Sequence, residues 1–213
     1  MQRISTVGRV LKAAVLASAF ALAGGAQAAL LTATDTTPGA FDASSGTRTF
    51  TLGAGSITDV NIAITFSKCD DPSNTDGGRC AGAGFSFNSE IVFRLTSPNG
   101  TIVNLVSAGT YGGETPGSGE QTVLFDDEAA TTVGGDSVVS GSFKPVGLLS
   151  SMDGADAAGN WTLFIQDTVF QDPLNYFSAT LSVTTSDVPE PASLALVGAA
   201  LLGLAGAKRR KAA

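Results

Sequence analysis

Between Val60 and Phe66 the chain reads Val-Asn-Ile-Ala-Ile-Thr-Phe, with a large apolar side chain at every second position. A period of two puts those side chains on one face of a strand and their neighbours on the other, which helical periodicity cannot do. The alternation recurs at Ile91, Phe93 and Leu95 against Val92, Arg94 and Thr96, and again at Trp161, Leu163 and Ile165. It returns at Phe177, Ala179, Leu181 and Val183, against Ser178, Thr180, Ser182 and Thr184. Each run predicts a strand with one face in a core and one in water. Ser97-Pro98-Asn99-Gly100 joins the second run to a strand over residues 101–106. Pro98 suits the turn corner that wants φ of about −65°, and Gly100 accepts positive φ, so the pair predicts a hairpin. Residues 47–52, 121–125 and 142–146 bring the set to about seven or eight strands, with no helical pattern between them, so the prediction is an all-β, antiparallel two-sheet sandwich.

These runs lie within residues 29–187, long enough to bury a core as one domain. Gly, Thr, Ser, Val and Phe are frequent there, which favours strands and turns. The segment holds 18 acidic and 5 basic side chains, a net charge near −13. Such a surface argues against binding nucleic acid or anionic lipid through electrostatics and is compatible with divalent cations. The chain contains no histidine. Ser-His-Asp and Cys-His nucleophile systems and His-ligated zinc are therefore excluded.

Both ends carry targeting patterns. Arg3, Arg9 and Lys12 form a basic region, residues 13–22 an apolar one, and Ala26-Gln27-Ala28 an A-x-A site, so residues 1–28 read as a signal peptide cleaved by signal peptidase after Ala28. At the other end, residues 188–213 run Val188-Pro189-Glu190-Pro191, then 16 uncharged residues from 192 to 207, then Lys208, Arg209, Arg210 and Lys211. Pro189 and Pro191 hold Glu190 in a non-helical segment. The apolar run as a helix would be about 24 Å long, short of the roughly 30 Å hydrocarbon core, so it spans only with thinning or snorkelling. The basic end orients it with the body outside. This tail resembles the PEP-CTERM sorting signal. The resemblance implies recognition of Pro189, Glu190 and Pro191 by an exosortase, a membrane-embedded cysteine transpeptidase-like enzyme, and removal of the tail after a transient stay in the inner membrane. It further implies a Gram-negative-type bacterium and placement in its envelope or extracellular matrix. The alternative is a plain C-terminal anchor.

Three stretches of the body resemble a second family: Ile57 to Phe66, the strand-turn-strand Ile91 to Thr101, and Gly159-Asn160-Trp161-Thr162-Leu163-Phe164-Ile165-Gln166-Asp167. Together with the final strand near Val183 they are similar to the P domain (P/Homo B) that follows the catalytic domain of subtilisin-like proprotein convertases. That likeness implies a jelly-roll-like β-sandwich. It departs from the family where residues 68–84 form an acidic, cysteine-bearing insertion, and where Asp126-Asp127-Glu128 has no counterpart.

Candidate sites follow from residue chemistry. Cys69 and Cys80, 11 positions apart in an exported segment, read as a disulfide closing a polar loop. Within that loop Asp70, Asp71 and Asp76 offer the hard oxygen ligands Ca²⁺ takes. The spacing fails the EF-hand pattern, with Pro72 and Thr75 at its third and sixth positions, so a solvated turn-rich loop is the competing reading. Asp126, Asp127 and Glu128 lack the facing carboxylate that a glycosidase-type pair requires. Asp156 and Asp167 read as turn and strand-end residues satisfying backbone N–H groups, Trp161 as core, and Tyr111 and Tyr176 as turn-side residues open to a ligand. No catalytic residue and no obligatory cofactor is expected.

The expected role is therefore non-enzymatic: an exported, exosortase-processed protein of the envelope or matrix, structural or adhesive, associated with exopolysaccharide. Two alternatives stand beside it, a P-domain partner of a separate secreted protease and a His-free extracellular hydrolase.

Overall fold

The computed structural model describes residues 28–68, 85–116 and 119–186. Twelve strands account for the described fold: β1 Ala28–Asp35, β2 Gly39–Phe41, β3 Ser45–Leu52, β4 Ser56–Lys68, β5 Phe85–Phe87, β6 Ile91–Thr96, β7 Ile102–Val106, β8 Glu114–Pro116, β9 Gln121–Phe125, β10 Gly141–Phe143, β11 Gly159–Asp167 and β12 Leu174–Ser186. The larger sheet runs β1-β12-β4-β9-β10, with β2 also paired to β12, and the smaller runs β3-β11-β6-β7. β5 and β8 form a separate ribbon. The all-β two-sheet sandwich is as expected from the alternation.

Alternation explains the core directly. Val60, Ile62, Ile64 and Phe66 of the larger sheet and Trp161, Leu163, Ile165, Phe93 and Leu95 of the smaller one are fully or almost fully buried in one cluster. Phe66 and Phe93 meet edge-to-face across the two sheets with centroids 5.0 Å apart, a geometry that aromatic quadrupoles favour. Trp161 donates from Nε1 to the Ala157 carbonyl at 3.0 Å, so its one polar atom is satisfied inside the core.

The hairpin also forms as read. Gly100 N–H donates to the Ser97 carbonyl at 2.9 Å, and Gly100 holds φ +88°. Gly159 shows why that turn and the Asn160-Trp161 strand belong together: at φ +120°, a Cβ there would lie 3.1 Å from Pro98 Cβ. The positive φ and the close approach together favour glycine there.

Four strands escaped the sequence reading, namely β1, β2, β5 and β8. Three of them have only three residues, too few to show a period. One pair breaks the antiparallel expectation: β10 lies parallel to β9, with Gly141 opposite Val123. Residues 126–140 supply the long connection that a parallel pair requires. Bulges also reset the alternation twice. Phe177 falls at a register shift between Tyr176 and Ser178, so Tyr176 enters the core cluster and Phe177, though buried as expected, lies outside it, while Ala179, Leu181 and Val183 are in it. A second shift, at Thr58, lets both Ile57 and Val60 face inward.

Candidate functional site

Of the residues singled out for sorting, processing, cross-linking and metal binding, Ala26, Cys69, Asp70, Asp71, Asp76, Cys80, Pro189, Glu190, Pro191, Lys208, Arg209, Arg210 and Lys211 lie outside the described residues. Ala28 lies within them. It is the first residue of β1 and pairs across the larger sheet with Ser186, the last residue of β12. The expected leader cleavage point and the last described residue of β12 are thus brought to one end of one sheet by the antiparallel β1–β12 pairing.

At the opposite end of β12 the sandwich holds a buried ionic cluster. Lys68 closes β4, Glu90 ends the short 3-10 turn that leads into β6, and Asp167 closes β11. Lys68 Nζ lies 2.6 Å from Asp167 Oδ2 and 2.7 Å from Glu90 Oε2, and it also donates to the Asp172 carbonyl. Lys68 and Asp167 are both wholly buried, and Glu90 is 8% exposed. The cluster joins the two sheets, since β4 belongs to the larger and β6 and β11 to the smaller. Burial pushes the Asp167 carboxyl up to about 6, against the opposing pull of the Lys68 charge and its hydrogen bond.

The connection that follows Asp167 is tightly held. Asp167 Oδ1 accepts from Val169 N–H at 3.2 Å, Thr168 Oγ1 donates to the Glu90 carbonyl at 3.3 Å, and Asp172 Oδ2 accepts from Phe87 N–H at 3.1 Å. Gln171, next to Asp172, has φ +98°, a conformation that non-glycine residues keep only when their surroundings enforce it. Asp167 therefore does satisfy a backbone N–H as expected, but its second oxygen serves the cluster. Lys68, which the sequence reading places at the start of the acidic insertion, is instead the wholly buried last residue of β4.

The acidic patch resolves into local structure. Asp127 accepts from Leu149 N–H at 3.2 Å and Ser150 N–H at 2.8 Å, capping the 3-10 turn Leu149–Met152, while Asp126 Oδ1 accepts from Glu128 N–H at 2.7 Å. Asp59 and Asp153 are held above the usual carboxylate range, by burial first and then by neighbouring acids, Asp126 and Asp127 for the former and Asp59 and Asp127 for the latter. Among the described residues no group of three or more acidic or cysteine side chains is arranged to hold a metal ion. Asp156 Oδ1 accepts from Gly55 and Ala158 N–H, as expected of a turn residue. The expectation for Tyr111 and Tyr176 does not hold: both are buried, and burial raises both hydroxyl pKa values. Tyr176 O–H donates to Asp35 Oδ1 at 3.0 Å, and the Arg48 guanidinium stacks 4.9 Å above its ring.

The described residues form an all-β, two-sheet sandwich. A family model described as the PEP-CTERM protein-sorting motif matches residues 187–211. The motif implies an exported protein that is targeted to an exosortase and anchored transiently in the membrane. No curated protein matches the chain. The solved structure described as "Structure of PfGH50B" matches 70% of this chain at 14% identity with a TM-score of 0.28. This chain spans about 20% of that structure's length, and a likeness of that degree fixes neither fold nor function. Among the described residues no helix is long and apolar enough to cross a membrane.

Proposed function

We propose that the protein is a non-catalytic structural or adhesive component of the cell envelope or extracellular matrix, held in association with exopolysaccharide after exosortase processing. The observation that carries this reading is the sorting motif at residues 187–211, starting one residue past β12. A scaffold whose last strand runs straight into a sorting signal is delivered, and the body supplies what is delivered. Its acidity suits a hydrated, cation-rich polymer matrix. The P-domain-like reading of the body belongs to the alternative, in which the module binds a separate secreted protease.

The test has two arms. Replacing Pro189, Glu190 and Pro191 by alanine should trap full-length protein in the inner membrane fraction; maturation and localisation equal to wild type would sink the sorting half of the proposal. Mature protein should then be retained by isolated exopolysaccharide. Retention by a secreted protease instead, with none by polymer, would transfer the assignment to the partner role.

A further inference from the structure

Lys68, Glu90 and Asp167 are placed as reactants are placed. An amine nitrogen and a carboxyl group stand 2.6 Å apart, wholly buried, with a second carboxyl 2.7 Å from the same nitrogen. The neighbours across the strands are Leu174 opposite Lys68 and Ile91 opposite Asp167, both fully buried. We propose that Lys68 Nζ and Asp167 Cγ become joined by an amide bond, formed by this chain on itself with Glu90 as proton carrier.

The step balances without any oxidant, metal or cofactor. Passing one proton from the Lys68 ammonium to the Asp167 carboxylate converts an ion pair into a neutral amine and a neutral acid with no net change in charge. Low dielectric favours that neutral pair, and the elevated pKa of Asp167 points the same way. The amine lone pair then attacks Cγ. Glu90 takes the proton released from Nζ and returns it to the departing hydroxyl, so that one C–N bond forms, one C–O bond breaks and one water leaves. Fixed geometry supplies the driving advantage that free reactants lack, with effective concentrations in such arrangements of roughly 10⁵ M or more. Three features hold that geometry: the strand ends of β4 and β11, the hydrogen-bonded connection after Asp167, and the strained Gln171 beside the Asp172 carbonyl that orients Nζ. The product would be a covalent staple between the two sheets, closing a span of 99 residues.

Intact mass of the full-length chain and of the exported protein, taken after reduction of any disulfide, reads the bond directly. The expected mass is lower than the sequence mass by one water. Peptide mapping should then give a branched species joining the Lys68 and Asp167 peptides, with trypsin passing over residue 68. Glu90→Gln, which keeps size and hydrogen-bonding capacity, should fold with the same far-ultraviolet spectrum yet retain the full sequence mass. Folded wild-type protein at full mass would overturn the proposal, as would a water loss that maps elsewhere. Full cross-linking in Glu90→Gln would remove Glu90 from its assigned role.

Discussion

Replacing Lys68 by methionine keeps most of the aliphatic stem and removes the ammonium from between Glu90 and Asp167. Stripping one partner from a buried pair costs about 3–5 kcal/mol, and where the amide has closed the 99-residue span the variant also forfeits roughly 5 kcal/mol of loop-closure stabilisation. Domains of this size have about 5–15 kcal/mol in total, so the variant should be marginal at neutral pH. Acid should then rescue it. The Asp167 carboxyl sits at about 6 in the fold even with Lys68 pulling it down, and without that charge it rises further. A carboxyl whose folded pKa exceeds its unfolded value binds more protons in the folded state. Its stabilising contribution is complete below the unfolded value of about 3.8 and is lost as pH climbs through the folded value. Moving from pH 7 to pH 5 should therefore return up to about 2.7 kcal/mol at 1.36 kcal/mol per unit, a rise of roughly 1–2 M in urea midpoint for an ordinary m-value. Fluorescence of Trp161, the chain's one tryptophan and fully buried, follows the transition. Asp59 and Asp153 are raised as well and slope the same way, so Lys68→Met with Asp167→Asn serves as reference and should be flatter. A midpoint in Lys68→Met that stays level or falls between pH 7 and pH 5 would refute the placement of the cluster.

Gly159→Ala forces a side chain against Pro98 at positive φ and should cost about 1–3 kcal/mol, read as a lowered thermal midpoint. Gly53→Ala, where a Cβ meets nothing within 4 Å, should stay within about 0.5 kcal/mol. Arg48→Ala loses the 3.2 Å contact to Asp35, the 3.0 Å bonds to the Thr37 and Pro38 carbonyls and the stacking on Tyr176. The loss should be about 2 kcal/mol, with amide exchange accelerated in β1 ahead of β11. Asp156→Ala removes the acceptor that binds Gly55 and Ala158 N–H, bonds that hold its pKa below the usual carboxylate value. Its thermal midpoint should fall below wild type at pH 7, and the gap should close as acid protonates Asp156 in the wild type.

Much of this molecule was legible from alternation alone. The runs beginning at Val60, Ile91 and Trp161 gave the faces of β4, β6 and β11 because both sheets are buried on one side only, which is the condition for a period of two to show. The same rule, carried one step further, reaches the buried cluster. Ile62, Ile64 and Phe66 are followed in phase by Lys68, and Trp161, Leu163 and Ile165 by Asp167. Two charges of opposite sign at inward positions of two strands are a readable signal for a buried pair, masked here because charge usually marks the end of a strand. Glu90 carried no such signal, since it enters from a 3-10 turn. Nor could alternation foresee Tyr176 buried beside Phe177, because a bulge leaves no trace in composition. The acidic patch misled in the other direction: Asp127 is spent on Leu149 and Ser150, more than twenty positions away, a contact only the fold can create.

The topology also bears on how export and folding are related. β12, the last strand, lies between β1 and β4 rather than at an edge, and it pairs with β4 from Leu174–Lys68 to Ser186–Ser56. The larger sheet lacks an interior strand until the final described residues are in place. Pairings of such wide sequence separation form late and slowly. The sorting motif begins immediately after that strand. The Lys68–Asp167 contact likewise requires β4 of one sheet and β11 of the other to be docked together, so it forms only as the core closes.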